Sequence, residues 1–135
     1  MENFQLFHVT CKGLIFYKNS FLLHRASDPE FFGALECPGG RVDKDELLED
    51  VLKRELLEET GIEKNQISDI RYKDFLENFF GSGEDKHHEL NMIFTANIDE
   101  TLEIKSKEGH INFEWVDMNK IPSINFLPKE MISKL

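Results

Sequence analysis

Three features of the sequence place it in the α/β class. Short runs rich in aromatic and β-branched residues occupy both ends of the chain, and one long helical pattern stands between them. A proline then opens a final helical stretch near the C-terminus. Strands, one helix, more strands and a terminal helix form neither a βα alternation nor an all-β pattern.

The elements follow in chain order. Residues 4–17 read as a strand, Lys18-Asn19-Ser20 as a turn and residues 21–25 as the second strand of a hairpin. Ser27-Asp28-Pro29 opens a loop, and residues 35–37 form a short strand that ends at Pro38-Gly39-Gly40. Asp43 followed by Glu46 has capping-box spacing, with Asp45 as a competing N-cap, so the helix is expected to start there. It stops at Gly61, a C-cap residue. Residues 67–80 and 89–99 read as two longer strands around the Gly81-Ser82-Gly83-Glu84-Asp85 loop. Residues 110–116 form a further strand, and 128–135 the terminal helix.

At 135 residues the chain is expected to be one domain, 1–135, with a core of its own. A hydrophobic fraction of 40% and a charged fraction of 31% suit a soluble globular protein. The sequence has no 18-residue apolar run and no signal-peptide pattern, so a cytoplasmic location without membrane contact is the expectation. Two cysteines, Cys11 and Cys37, are too few for a disulfide framework and read as small hydrophobes in strands. The net charge of −10 repels a nucleic-acid backbone and argues against duplex binding. A small phosphorylated ligand fits if a metal cancels the charge. Oligomeric state is not read from the sequence, and a homodimer stays open.

The chemistry concentrates in the helix. At 100° per residue from Leu47, the apolar Leu47, Leu48, Val51 and Leu52 fall at about 0°, 100°, 40° and 140°. Glu55, Glu58 and Glu59 fall at about 80°, 20° and 120°, on the same side. Glu49, Asp50, Lys53 and Thr60 make the opposite, solvated face. Like charges three and four apart cost about 0.2–0.5 kcal/mol per pair, and here they lie at the helix end where the macrodipole favours cations. Anions crowded there call for a bound cation, and hard carboxylate oxygens select Mg²⁺ or Mn²⁺. A helix that merely happens to be acidic is the alternative.

The spacing of Gly40, Glu46, Arg54-Glu55-Leu56, Glu58-Glu59 and Gly61-Ile62 resembles a complete Nudix box, the signature of the Nudix hydrolases. The resemblance implies a mixed-sheet α/β/α sandwich with a loop-helix-loop at the box. It also implies Mg²⁺-dependent hydrolysis of a phosphoanhydride in a nucleoside di- or triphosphate, or in a nucleoside diphosphate linked to another moiety. By motif position Glu55, Glu58 and Glu59 resemble the metal-binding glutamates, with the Gly39 carbonyl completing the set. Glu55 and Glu59 have the spacing to close on one ion. Arg54 and Glu46 resemble the pair that braces the loop against the helix. Two positions depart from the family pattern: Asp45 stands where a glycine commonly precedes the first box glutamate, and Leu47 where a capping Ser or Thr is common.

Outside the box, Arg25 resembles the phosphate-contacting arginine of MutT-type members, Glu108 a loop glutamate supplying a ligand or base, and Asn125 a base-reading asparagine. Each has an ordinary surface or turn role as its alternative. Phe79 and Phe80 can stack a base or fill the core, and with 12 phenylalanines in the chain the core is favoured. Adjacent His87 and His88 point to opposite faces of a strand and so do not share a metal. Glu89, with Glu77 on the neighbouring strand, is a further candidate for the base. Cleanup of oxidised guanine nucleotides and a non-hydrolysing nucleotide sensor are the alternative functions. The residues near position 78 match no substrate marker of the family.

Overall fold

Strand β1 (His8–Tyr17) organises the sheet because both of its edges are used. One edge pairs in parallel with β6 (His87–Ile98), from His8 opposite Glu89 to Phe16 opposite Asn97. The other edge is shared. Thr10 to Lys12 pair with β4 (Gly39–Arg41), and Phe16 and Tyr17 with β2 (Ser20–Arg25). β5 (Ile67–Phe80) pairs antiparallel with β6 at the sheet edge. On the far side β2 carries β7 (Phe113–Asp117) and β3 (Leu35–Glu36), and β3 pairs in parallel with β8 (Phe126–Leu127). The result is an eight-stranded mixed sheet with helix α1 (Leu48–Thr60) packed on one face. This computed structural model describes residues 7–25, 34–99, 113–123 and 126–127. The expected terminal helix at 128–135 and the loop at Ser27-Asp28-Pro29 lie outside the described residues, as does the start of the strand expected at 110–116.

Residues paired across a ladder share a face. One face carries Cys11, Ile15, Leu22, Phe94, Ala96 and Ile98, against which α1 buries Val51, Leu52 and Leu56. Each fully buried aliphatic side chain contributes about 1.5–3 kcal/mol, so packing and not propensity holds this helix. The other face carries a second cluster that includes Leu14, Leu23, Leu35 and Ile93. Among the described residues no helix is long and apolar enough to cross a membrane.

The helix starts later than its capping-box spacing suggests. Asp45 adopts φ 63°, in the left-handed region, which ends any helical run through residues 43–46. That conformation explains why a glycine suits this position in the family pattern. Asp43 and Glu46 close a local turn instead: the Glu46 N–H donates to the Asp43 carbonyl and the Asp43 N–H to Glu46 Oε1, each at 3.1 Å. The N-cap is Leu47, 73% exposed and with no side-chain cap, rather than part of the buried stripe. Thr60, expected on the solvated face, is buried. Its hydroxyl donates to the Leu56 carbonyl and accepts from the Ile62 N–H where the chain reverses. Gly61 ends the helix at φ 80°, donating to the Leu57 carbonyl.

Leu47→Ser should therefore raise stability by about 1 kcal/mol, since a serine hydroxyl can accept from an orphan N–H of the first turn. The measurement is a urea midpoint. A lower midpoint would show that the exposed leucine makes a contact worth more than the cap.

Candidate active site

The box begins where two strands and the helix meet. Gly39, at φ 152°, lies against β1 so closely that a Cβ would overlap the Cys11 carbonyl. A Cβ on Gly40 would overlap the Glu55 carboxylate, so that carboxylate rests directly on the Gly40 backbone. The two glycines thus allow the helix and the β4 backbone to approach.

Arg54 fills the centre of the loop. Its Nε donates to Glu46 Oε2 at 2.8 Å and its Nη2 to Glu46 Oε1 at 3.0 Å, a two-pronged pair. Nη2 also donates to the Arg41 carbonyl at 3.0 Å, tying the guanidinium to β4. Nη1 donates to Glu55 Oε1 at 2.9 Å and lies 3.6 Å from Glu58 Oε2, while Asp43 Oδ2 stands 3.5 Å from Nη2. These hydrogen bonds, with Glu46 foremost, hold the Arg54 pKa above its ordinary value. Reciprocally, the bond from Arg54, followed by that from the Asp43 N–H, holds the Glu46 carboxyl below the ordinary glutamate range.

One guanidinium thus faces four carboxylates, Asp43, Glu46, Glu55 and Glu58, leaving three negative charges uncancelled within the group. Glu59 adds another carboxylate on the same turn, half-buried and with Oε2 sealed from solvent. Among the described residues, however, no three acidic, histidine or cysteine side chains converge into a metal-holding group. In this arrangement Arg54 Nη1 holds Glu55 Oε1. Glu58 lies on the exposed side, 51% accessible, so the acidic stripe divides into an inner and an outer part.

The other candidates are dispersed. Arg25 pairs at 3.2 Å with Glu114 of β7, both at the surface. Phe79 is not in the core: it is 56% exposed and stacks on His88 at 4.1 Å. Phe80 is half-buried and stacks on His87 at 4.8 Å. His87 and His88 do lie on opposite faces; the first contacts His8 at 2.9 Å and the second Glu77 at 2.9 Å. Glu77 and Glu89 are not a pair, since Glu77 stands opposite Leu90 and thus on the other face. Glu108 and Asn125 lie outside the described residues. Burial pushes the Cys37 thiol up to about 12 and, with the Glu46 charge second, the Cys11 thiol to about 11, which leaves both unreactive at neutral pH.

Three residues were not singled out from the sequence. Thr10 donates to Glu89 Oε2 at 3.2 Å, His8 contacts His87, and Asn91 is 1% exposed with neither amide atom hydrogen-bonded among the described residues. An unmade hydrogen bond on such a buried group costs about 1–3 kcal/mol. No motif carries these residues; strand pairing alone brings them together.

The family model for the NUDIX domain matches residues 7–135. The chain therefore belongs to the NUDIX family, the hydrolase class that its box resembles. It is 26% identical over 125 residues to an ADP-ribose pyrophosphatase of Methanocaldococcus jannaschii, covering 92% of this chain and 70% of that protein. Similar solved folds include a MutT NUDIX hydrolase from Burkholderia pseudomallei (TM-score 0.76, 18% identity, 97% of this chain and 99% of that one). The NUDIX domain of Shewanella oneidensis NrtR, solved with ADP ribose, gives a TM-score of 0.75 at 18% identity over 97% and 87% of the two chains. A C. elegans Ap4A hydrolase gives 0.67 at 23% identity over 93% and 90%.

The Arg54–Glu46 pair makes stability pH-dependent. With its folded pKa depressed, Glu46 contributes stability that is complete above its unfolded value of about 4.3 and is lost as pH falls through the folded value. Glu46→Gln should lower the urea midpoint at pH 7 and flatten its decline below about pH 4.3. Superimposable acid profiles of the two proteins would show that the pair does not hold the loop.

Proposed function

We propose that this chain is a single-domain, cytoplasmic pyrophosphohydrolase that cleaves a phosphoanhydride bond in a nucleotide or nucleotide derivative. It uses Mg²⁺, with Mn²⁺ as a substitute. The observation that carries this reading is the set of four carboxylates around one guanidinium. Their uncancelled charge and all-oxygen donor chemistry fit a divalent hard cation. Glu55, Glu58, Glu59 and the Gly39 carbonyl would hold it. When bound, such an ion supplies charge neutralisation and Lewis acidity to the phosphate oxygens.

The chain's own residues do the rest. Arg54 and Glu46 fix the loop against α1, and Gly40 lets Glu55 reach the β4 backbone. In hydrolysis a water oxygen bonds to phosphorus, the bridging P–O bond breaks and the water's proton passes to a carboxylate. Glu55 and Glu58 within the box, and Glu89 and Glu108 outside it, are the candidates to take that proton. The nucleotide class is supported by the ADP-ribose and Ap4A names of the relatives. Phe79, exposed beside His88, offers a ring for a base to stack on. The oxidised-guanine alternative depends on Arg25, which is engaged with Glu114, and on Glu108 and Asn125.

Cleavage products should be separated by chromatography, with Mg²⁺ and with EDTA: AMP and ribose 5-phosphate from ADP-ribose, mononucleotides from Ap4A, and monophosphate with pyrophosphate from oxidised guanine triphosphates. Turnover is expected only with metal, and Glu58→Gln should reduce kcat by a hundredfold or more with little change in the urea midpoint. Undiminished turnover in EDTA, after metal analysis, would sink the reading. Binding of a nucleotide without turnover would make the chain a sensing module.

A further inference from the structure

Three aromatic rings form a row at one end of the α1 face of the sheet. Phe79 stacks on His88 of β6 at 4.1 Å, and Phe7, just before β1, packs against the same imidazole at 4.3 Å. His88 Nε2 lies 2.9 Å from Glu77 Oε2, which anchors the middle ring. Phe79 is thus the outermost member of a braced row on the edge strand, exposed and with Lys86 Nζ 5.2 Å from its centroid. Side chains on neighbouring strands stand about 4.8 Å apart, so a flat ring laid on the outer face of Phe79 continues the row.

The ladders fix how far this row lies from the box. Gly40, on which the Glu55 carboxylate rests, stands opposite Cys11, Cys11 opposite Met92, and Met92 opposite Phe75. Three strand spacings put Phe75 about 14 Å from Gly40, and Phe79 lies about 13 Å further along β5, or about 20 Å from the box in all. The strip between them is on the α1 face yet outside the cluster that α1 buries. Val9 and Leu90, opposite one another, are half-exposed there, and Met92 sits at the margin of the cluster.

A base joined to the cleaved phosphate through a single ribose falls well short of that distance. We propose that Phe79 holds the second nucleoside of a dinucleoside polyphosphate, whose phosphate chain lies along the Val9–Leu90 strip and past the Lys86 ammonium. The cleaved anhydride stays at the box carboxylates, and the far base extends the row of Phe7, His88 and Phe79. A nucleoside triphosphate or ADP-ribose, with its base one ribose from the anhydride, does not reach from the box to this edge. The assignment rests on the hydrolase reading above and narrows its substrate class.

Ap4A and adenosine 5′-tetraphosphate carry the same four phosphates on the same first nucleoside and differ in the second. With Mg²⁺ and the full chain, KM should be about tenfold to a hundredfold lower for Ap4A, the contribution of one base stacked on an aromatic side chain. Where adenosine tetraphosphate is not cleaved, its inhibition constant takes the place of KM. Phe79→Leu should bring the two values together, and Phe79→Tyr, which keeps a ring, should keep them apart. Equal values in the wild type, a difference that survives Phe79→Leu, or one that Phe79→Tyr abolishes would overturn the proposal. Cleavage of ADP-ribose or a triphosphate but not of Ap4A would overturn it too. If no nucleotide is cleaved, the hydrolase reading alone fails and Kd from calorimetry decides: tighter binding of Ap4A that depends on the Phe79 ring supports the proposal, and equal binding overturns it.

Discussion

The guanidinium of Arg54 is the contact on which the box depends. Among the described residues it alone hydrogen-bonds to the Glu46 turn, the β4 backbone and the acidic turn of α1, through the planar fork of its N–H donors. A lysine ammonium could supply the charge but not the fork that grips both Glu46 oxygens. The arrangement also stores a conflict, because one cation cannot satisfy four anions. A folded protein tolerates such a surplus where α1 is already anchored by Val51, Leu52 and Leu56 against the sheet.

The same logic explains why local rules fail together in residues 43–47. Asp45 takes a left-handed conformation, Leu47 caps the helix without a side-chain hydrogen bond, and Asp43 commits its N–H to Glu46. Each choice is poor for a helix start and good for holding a loop against an arginine. Local stability has been given up for the shape of the turn.

Much of this was legible in the sequence. Strands β5 and β6 carry β-branched and aromatic residues along their length, and the helix end at Gly61 follows from one glycine. The box residues declared themselves by spacing, since Arg54, Glu46, Glu55 and Glu58 all lie within one continuous segment. β4 did not, because two glycines and an arginine have no strand propensity and pair only because β1 is there. The burial of Thr60 escaped a helical wheel because the chain reverses over it. Composition points Phe79 toward the core, yet the edge strand leaves its ring outside. The burial of Asn91 could not be found at all, because it depends on the parallel ladder that sets Thr10 opposite it.

That ladder has a consequence in time. β1 is made first, but its parallel partner β6 is separated from it in the chain by the box, α1 and all of β5. Closing so distant a pairing costs loop entropy before it yields contacts, and topologies rich in such pairings fold slowly. As the chain emerges from a ribosome, β2, β4 and α1 can cover β1 early, but the edge that β6 will pair with stays open until β6 arrives. The charge that crowds the box then serves a second purpose, keeping the waiting chain apart from its neighbours until the sheet can close.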